Sequence, residues 1–104
     1  MAFDQQLAQR VRDAIGPDPQ VSEKEMFGGL AFLRNGSLFC GILGHKLMVK
    51  VGSERYQETL ELPNVGPMDF SGKPMTGFVF VEPAGCRSEE AVKVWVERGL
   101  ESIS

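Results

Sequence analysis

Apolar residues near the start of the chain recur at the spacing of an amphipathic helix. The stripe consists of Phe3, Leu7, Val11, Ala14 and Ile15. Asp4 lies near the positive N-terminal end of this helix, and Gly16-Pro17 is a stop signal, because glycine suits a left-handed cap and proline cannot continue the ladder. After the linker PDPQ, the alternation in VSEKEMF predicts a strand that contains Val21 and Phe27.

The middle of the chain predicts two β-hairpins in series. Asn35-Gly36 separates LAFLR from SLFCGIL, and this dipeptide favours a type I′ turn, which needs two residues at positive φ. Gly44-His45 separates FCGIL from KLMVKV as a II′ turn would. With two-residue turns at both places, the predicted pairs are Leu33 with Leu38, Ala31 with Cys40, Ile42 with Leu47, and Cys40 with Val49.

This register divides the sheet into two faces of different character. The paired residues named above and Val51 form a wholly apolar face, whereas the opposite face mixes aromatic and basic side chains. From the mixed face we select a candidate interaction surface that consists of Phe32, Arg34, Phe39, Lys46, Met48 and Lys50. Exposed apolar patches commonly mark contact surfaces. The alternative is that a terminal helix covers this face.

The second half of the chain predicts two helices and a strand. Ser53 is the predicted N-cap of a short helix that ends at Pro63, and residues 64–75 form a loop rich in Gly and Pro. The stretch TGFVFVEP predicts a strand with apolar side chains on both faces, which is typical of a central strand. The last helix starts after Ser88 and packs on the sheet through Trp95.

Length and composition agree with a single domain, and the elements predicted above are antiparallel hairpins between an N-terminal and a C-terminal helix. The chain has 104 residues, 42% of them hydrophobic, which suffices for a core without disulfide staples. No apolar run reaches the ~18 residues of a membrane helix, and the N-terminus has no signal-peptide pattern, so we expect a cytoplasmic protein. The net charge of −3 and the scattered bases make direct binding to nucleic acid a minority hypothesis.

The sequence contains no recognisable catalytic constellation. His45 is the only histidine and lies at a predicted hairpin tip, where neither a cleft nor an orienting partner is expected. Cys40 and Cys86 are predicted to be reduced thiols, and together with one histidine they cannot close a zinc site. No phosphate-binding or dinucleotide fingerprint occurs. We therefore expect no enzyme activity, no metal and no cofactor.

Several ordered segments carry a resemblance to a known family. They are Glu23-Lys24-Glu25-Met26-Phe27-Gly28-Gly29-Leu30-Ala31-Phe32, Asn35-Gly36, Leu47-Met48-Val49-Lys50-Val51, Pro67-Met68-Asp69-Phe70, Met75 with Gly77-Phe78, and Glu82-Pro83. In this order and spacing they resemble the N-terminal domain of the TfoX/Sxy competence-regulator family, over about residues 3–100. The resemblance implies a secretion-chaperone-like α+β fold and a regulatory role in competence exerted through other regulators. Activators in that family carry a second, C-terminal domain, which is absent from the 104 residues here.

The leading functional hypothesis is therefore a non-enzymatic interaction domain in transcription regulation. Its partner would be another transcription regulator or a second copy of the chain. A homodimer is the simplest form, because residues 53–104 hold 9 acids and 5 bases and would complement the basic rim of the mixed face. Two alternatives remain open at this point. One is a small-molecule site under the Met- and Phe-rich loop of residues 67–78, and the other is a weak single-strand nucleic-acid surface.

Overall fold

The fold is an open antiparallel sheet with all of its helices packed on one side. The structure is a computed structural model and describes residues 3–26, 28–69 and 74–103. Its strands are β1 (Val21–Met26), β2 (Gly29–Arg34), β3 (Ser37–Leu43), β4 (Lys46–Lys50), β5 (Val65–Asp69) and β6 (Pro74–Val81). Its helices are α1 (Gln5–Ile15), α2 (Tyr56–Leu60) and α3 (Glu89–Ser102), and a 3₁₀ turn spans Pro83–Gly85. The strand order is β1-β2-β3-β4-β6-β5, which confirms the predicted α+β class.

Both predicted hairpin turns are present. Asn35 and Gly36 have φ values of 52° and 82°, as a type I′ turn requires. In the second hairpin Leu43 lies opposite Lys46, and Gly44 has a φ of 62° while His45 stays outside the positive-φ region, as expected of a II′ turn.

The register between β2 and β3 differs from the prediction because of a β-bulge. Leu33 pairs with Leu38 as expected, but the next pair is Phe32 with Cys40, so Phe39 is an extra residue in β3. The predicted pairing of Ala31 with Cys40 is therefore wrong. Side chains alternate between the faces of a strand, so one inserted residue in β3 reverses the predicted face assignment of β2 relative to β4.

The bulge transfers two phenylalanines from the predicted mixed face to the main hydrophobic core. Phe32 and Phe39 have no exposed side-chain surface and pack with the helices and with the apolar residues of β3, β4 and β6. The helical contributions to this core are Leu7, Ala8, Val11, Tyr56, Val92, Trp95 and Val96. The core accounts for α1, α2 and α3 lying on the same side of the sheet.

Two features of the second half of the chain were not predicted. The short helix begins at Tyr56 with Arg55 at its N-cap and no side-chain cap, so Ser53 does not cap it. Part of the predicted loop 64–75 is β5, which pairs with β6 at one edge of the sheet. Pro67 is compatible with this position, because an edge strand tolerates a residue without a backbone N–H. The strand β6 is central, as its apolar faces predicted.

Side chains cap the N-terminal ends of the two long helices. The Asp4 carboxylate accepts hydrogen bonds from the backbone N–H groups of Gln6 (2.9 Å) and Leu7 (3.2 Å). The Ser88 hydroxyl accepts one from the N–H of Ala91 at 3.1 Å, which confirms the predicted start of the last helix. These bonds satisfy amide groups that have no partner inside the helix.

Candidate functional site

The sheet face opposite the three helices, called the open face below, carries a second, smaller hydrophobic cluster. The cluster consists of Met48, Met68 and Phe80, with half-buried Leu38, Leu43 and Phe78 packed against it. None of these residues belongs to the core that α1, α2 and α3 form with the sheet. The strand register connects the open face from edge to edge through one row of directly opposed residues: Lys24, Ala31, Gly41, Met48, Phe80 and Gly66.

Only half of the candidate interaction surface predicted from the sequence lies on the open face. Lys46, Met48 and Lys50 are there, since they alternate along β4 opposite Leu43, Gly41 and Phe78. Phe32 and Phe39 are in the main core instead. Arg34 lies on the helix-covered side, where its Nε is 3.3 Å from an Asp18 carboxylate oxygen. The six residues therefore do not form one surface, and the bulge at Phe39 is the reason.

Lys46 links the rim of the open face to its aromatic centre. Its Nζ lies 3.5 Å from the Glu82 carboxylate and 5.5 Å from the centroid of the Phe80 ring. A cation over a ring face is attracted by the ring quadrupole, and the aliphatic stem of lysine covers apolar surface. Lys46 is thus held over the cluster.

One charged member of the open face was not among the predicted surface residues. Lys24 in the edge strand β1 lies opposite Ala31, so it shares the face of Met48. Its neighbours Glu23 and Glu25 point to the helix-covered side, where Glu23 accepts two 2.7 Å hydrogen bonds from the Arg12 guanidinium. This bond lowers the pKa of Glu23. The alternation in β1 could have shown that Lys24 lies on the opposite face from Glu23 and Glu25. Whether that face is the one that carries Met48 on β4 depends on the bulge in β3, which the sequence did not reveal.

The glycines that carry the family resemblance have structural roles. Gly28 has a φ of 75°, and a Cβ on Gly29 would collide with the carbonyl oxygen of Ile42 in β3. Gly77 has a φ of 96°, and its carbonyl accepts hydrogen bonds from the N–H groups of Val51 (2.7 Å) and Gly52 (3.2 Å). These three positions exclude side chains for conformational or steric reasons.

The other residues of the resemblance lie on or near the same sheet. Met68 and Phe78 belong to the open-face cluster, and Pro83 opens the 3₁₀ turn after β6. Met26 is the last residue of β1 and Met75 lies in β6. Phe27 and Phe70 lie outside the described residues.

The titratable side chains do not assemble into a reaction centre in the described part of the chain. The exposed His45 has its Nδ1 3.1 Å from an Asp4 carboxylate oxygen, and this hydrogen bond lowers the pKa of Asp4. Cys40 and Cys86 are free and buried, and desolvation raises the pKa of both thiols. Within residues 3–26, 28–69 and 74–103 no three His, Cys, Asp or Glu side chains are placed to hold a metal ion.

Three clefts on the described surface lie away from the Met- and Phe-rich segment. A cleft of about 350 Å³ lies between the start of α2 and the end of α3, and its polar lining includes Ser53, Arg55, Arg98 and Glu101. Two others, of about 270 and 230 Å³, lie beside α1. None of the three has a lining residue from the segment 65–78. In the described residues, no helix combines the length and the hydropathy needed to cross a bilayer.

Fold and site together define a small α+β domain with a one-sided helical layer and an open sheet face. The sequence model of the TfoX N-terminal domain family matches residues 5–103. The chain belongs to the TfoX N-terminal domain family, a non-enzymatic regulatory family related to competence. Searches of curated proteins and of solved structures gave no match.

Proposed function

We propose that this domain regulates the expression of competence (DNA-uptake) genes by contacting another transcription regulator, without catalysis of its own. The observation that carries the proposal is the asymmetry of the sheet. Three helices pack on one face, while the opposite face bears a separate cluster of Met, Phe and Leu side chains. An apolar sheet face is normally buried against another layer, and a face on which none of the described helices packs is suited to a partner.

The half-buried leucines of the open face provide the means to test this proposal. Leu38 and Leu43 lie at the margin of the cluster, so glutamine at both positions makes the face polar while leaving Met48 and Phe80 in place. Val94 is the matched control. It is 48% exposed on α3, on the helical side of the molecule, and Val94→Gln changes a comparable apolar side chain there.

The experiment measures transcripts of DNA-uptake genes in the native host. Deletion of the gene should lower these transcripts, and the wild-type chain and Val94→Gln should restore them. The double variant Leu38→Gln/Leu43→Gln should accumulate as a folded protein and fail to restore them. Unchanged transcripts after deletion would refute the proposed function, and full restoration by the double variant would refute the role of the open face.

A further inference from the structure

We infer that the open face receives an acidic segment of the partner, one in which carboxylates and apolar side chains occur together. This inference rests on the proposed function and adds the chemistry of the partner to it. The first argument is the distribution of charge on the sheet. The described charged side chains that the strand register places on the open face are all lysines, namely Lys24, Lys46 and Lys50.

Most of the described carboxylates of the strands and helices lie on the other side of the sheet. Glu23 and Glu25 alternate with Lys24 and therefore face the helices. The glutamates of α2 and α3 lie on the helical layer, and Glu82 reaches the rim of the open face, where it pairs with Lys46. The chain as a whole has a net charge of −3, so a lysine-bearing face does not follow from its composition. Complementary potentials of this kind steer a partner and fix its orientation.

The three lysines frame the apolar cluster. Lys24 lies on β1, and Lys50 lies on β4 two residues beyond Met48. The two strands are three strand spacings apart, which is about 14 Å. From Lys24 the row of directly opposed residues continues through Ala31 and Gly41 to Met48, and a Cβ on Gly41 would be 3.0 Å from the Met48 methyl carbon. The Met48 side chain thus lies over the small residues. Ala31 and Met48 are themselves buried, so a partner would meet the half-buried margin of the cluster, Leu38, Leu43 and Phe78, together with the lysine ammonium groups.

A second copy of this chain fits the open face less well than an acidic partner. A two-fold dimer through this face would bring the lysines of both copies together, and like charges across an interface are unfavourable. Dimerisation by pairing of the edge strands of two copies is also unfavourable. The edge strand β1 carries three consecutive charged residues, Glu23, Lys24 and Glu25, and the edge strand β5 contains Pro67, which lacks a backbone N–H. The acidic helical layer of one copy could meet the open face of the next, but that contact is heterologous and does not close into a dimer.

Single-stranded nucleic acid is also disfavoured as the occupant. Binding of bases requires aromatic rings with free faces. Phe80 is only 9% exposed and has the Lys46 ammonium over its ring, and Phe78 is half-buried against the cluster. Among its described residues the face thus offers apolar side chains and cations but no free stacking platform.

Photo-crosslinking in the native host tests this inference with the full chain. Leu38→p-benzoylphenylalanine and Leu43→p-benzoylphenylalanine place the reactive group at the margin of the open face, and the same replacement of Val94 is the control. We expect both open-face variants to crosslink to the same segment of one partner, rich in Asp and Glu, and the control not to. Crosslinks to a second copy of this chain, to nucleic acid or to a neutral or basic segment would overturn the inference, as would their absence.

The crosslinked segment, synthesised as a peptide, is then the probe for a binding titration at 50 mM and 500 mM NaCl. Lys24→Gln/Lys50→Gln should weaken binding about tenfold at the lower salt concentration, the sum of two modest surface ion pairs. Lys93→Gln, on α3, should bind like the wild type. Equal affinities for the wild type and the double variant would refute the role of the lysines. If the transcript experiment succeeds and these tests fail, only the docking surface is wrong; if the transcript experiment fails, the proposed function is wrong.

Discussion

Gly99→Ala tests how closely the last helix approaches the sheet. At a helix position with free space around it, a change from glycine to alanine stabilises the protein, because the helix propensity of alanine is about 0.8–1 kcal/mol better than that of glycine. Gly99, however, has no free space for a side chain. A Cβ there would lie 2.5 Å from the carbonyl oxygen of Phe39, the bulged residue of β3, and 3.4 Å from a carbon of its ring.

The magnitude follows from the displacement that the methyl group requires. A carbon normally approaches a carbonyl oxygen to about 3.3–3.6 Å, so α3 must move away from β3 by roughly 1 Å. A gap of that size loses a quarter to a half of the dispersion energy at a contact. Val92, Trp95 and Val96 attach this helix to the core, each with a burial energy of about 1.5–3 kcal/mol. The loss is about 2–3 kcal/mol, and after the gain in propensity the net destabilisation is about 1–2 kcal/mol.

Urea and thermal unfolding measure this change. For a domain of this size we expect the Tm to fall by roughly 5–15 °C, with an unchanged urea m-value. Gly66→Ala is the matched control, because a Cβ on Gly66 meets nothing within 4 Å and the φ of Gly66 is not positive. Its stability should lie within about 0.5 kcal/mol of wild type. A Gly99→Ala variant as stable as the wild type, or more stable, would show that α3 does not rest on the bulge as described.

Three further substitutions test the turn, the bulge and the first helix cap. Gly36→Val should lower the free energy of unfolding by about 1 kcal/mol or more, because Gly36 has a φ of 82° and a β-branched residue is strained there; an unchanged Tm would exclude the I′ turn. Phe39→Asp should abolish folding, since a carboxylate cannot be buried unpaired in the core, whereas Lys50→Asp should remain folded by circular dichroism; a folded Phe39→Asp protein would put that ring on the surface. Asp4→Asn keeps an N-cap but loses the carboxylate that His45 contacts. Because the pKa of Asp4 is lowered in the folded state, its contribution is present above the ordinary carboxyl pKa of about 3.9 and is lost as the pH falls through the folded value. The wild type should therefore lose Tm relative to Asp4→Asn as the pH is lowered from about 4, and parallel profiles would contradict this.

The sequence by itself determined the elements whose physical causes are local. The N-cap at Ser88, the stop at Gly16-Pro17 and the turn at Asn35-Gly36 act over a few residues, and each is found where the sequence predicted it. Hydrophobic periodicity predicted the two terminal helices and the central position of β6 in the same way. The family resemblance is likewise carried by ordered local segments and is confirmed over residues 5–103.

Tertiary structure decided which residues share a face. The bulge at Phe39 has no local signature, since SLFCGIL is a regular strand sequence, and it forms where α3 packs on β3 through Gly99. One extra residue moved Phe32 and Phe39 into the core and left Lys46, Met48 and Lys50 on the open face with Lys24 and Phe80. Strand β5 was missed for a related reason. Gly66 and Pro67 have low strand propensity, so the sequence of this segment does not predict a strand. The segment is a strand because it forms hydrogen bonds with the neighbouring β6. Local propensity depends on a few neighbouring residues. Whether two residues on different strands share a sheet face depends on the register of every strand between them, so a single bulge can change which residues lie together.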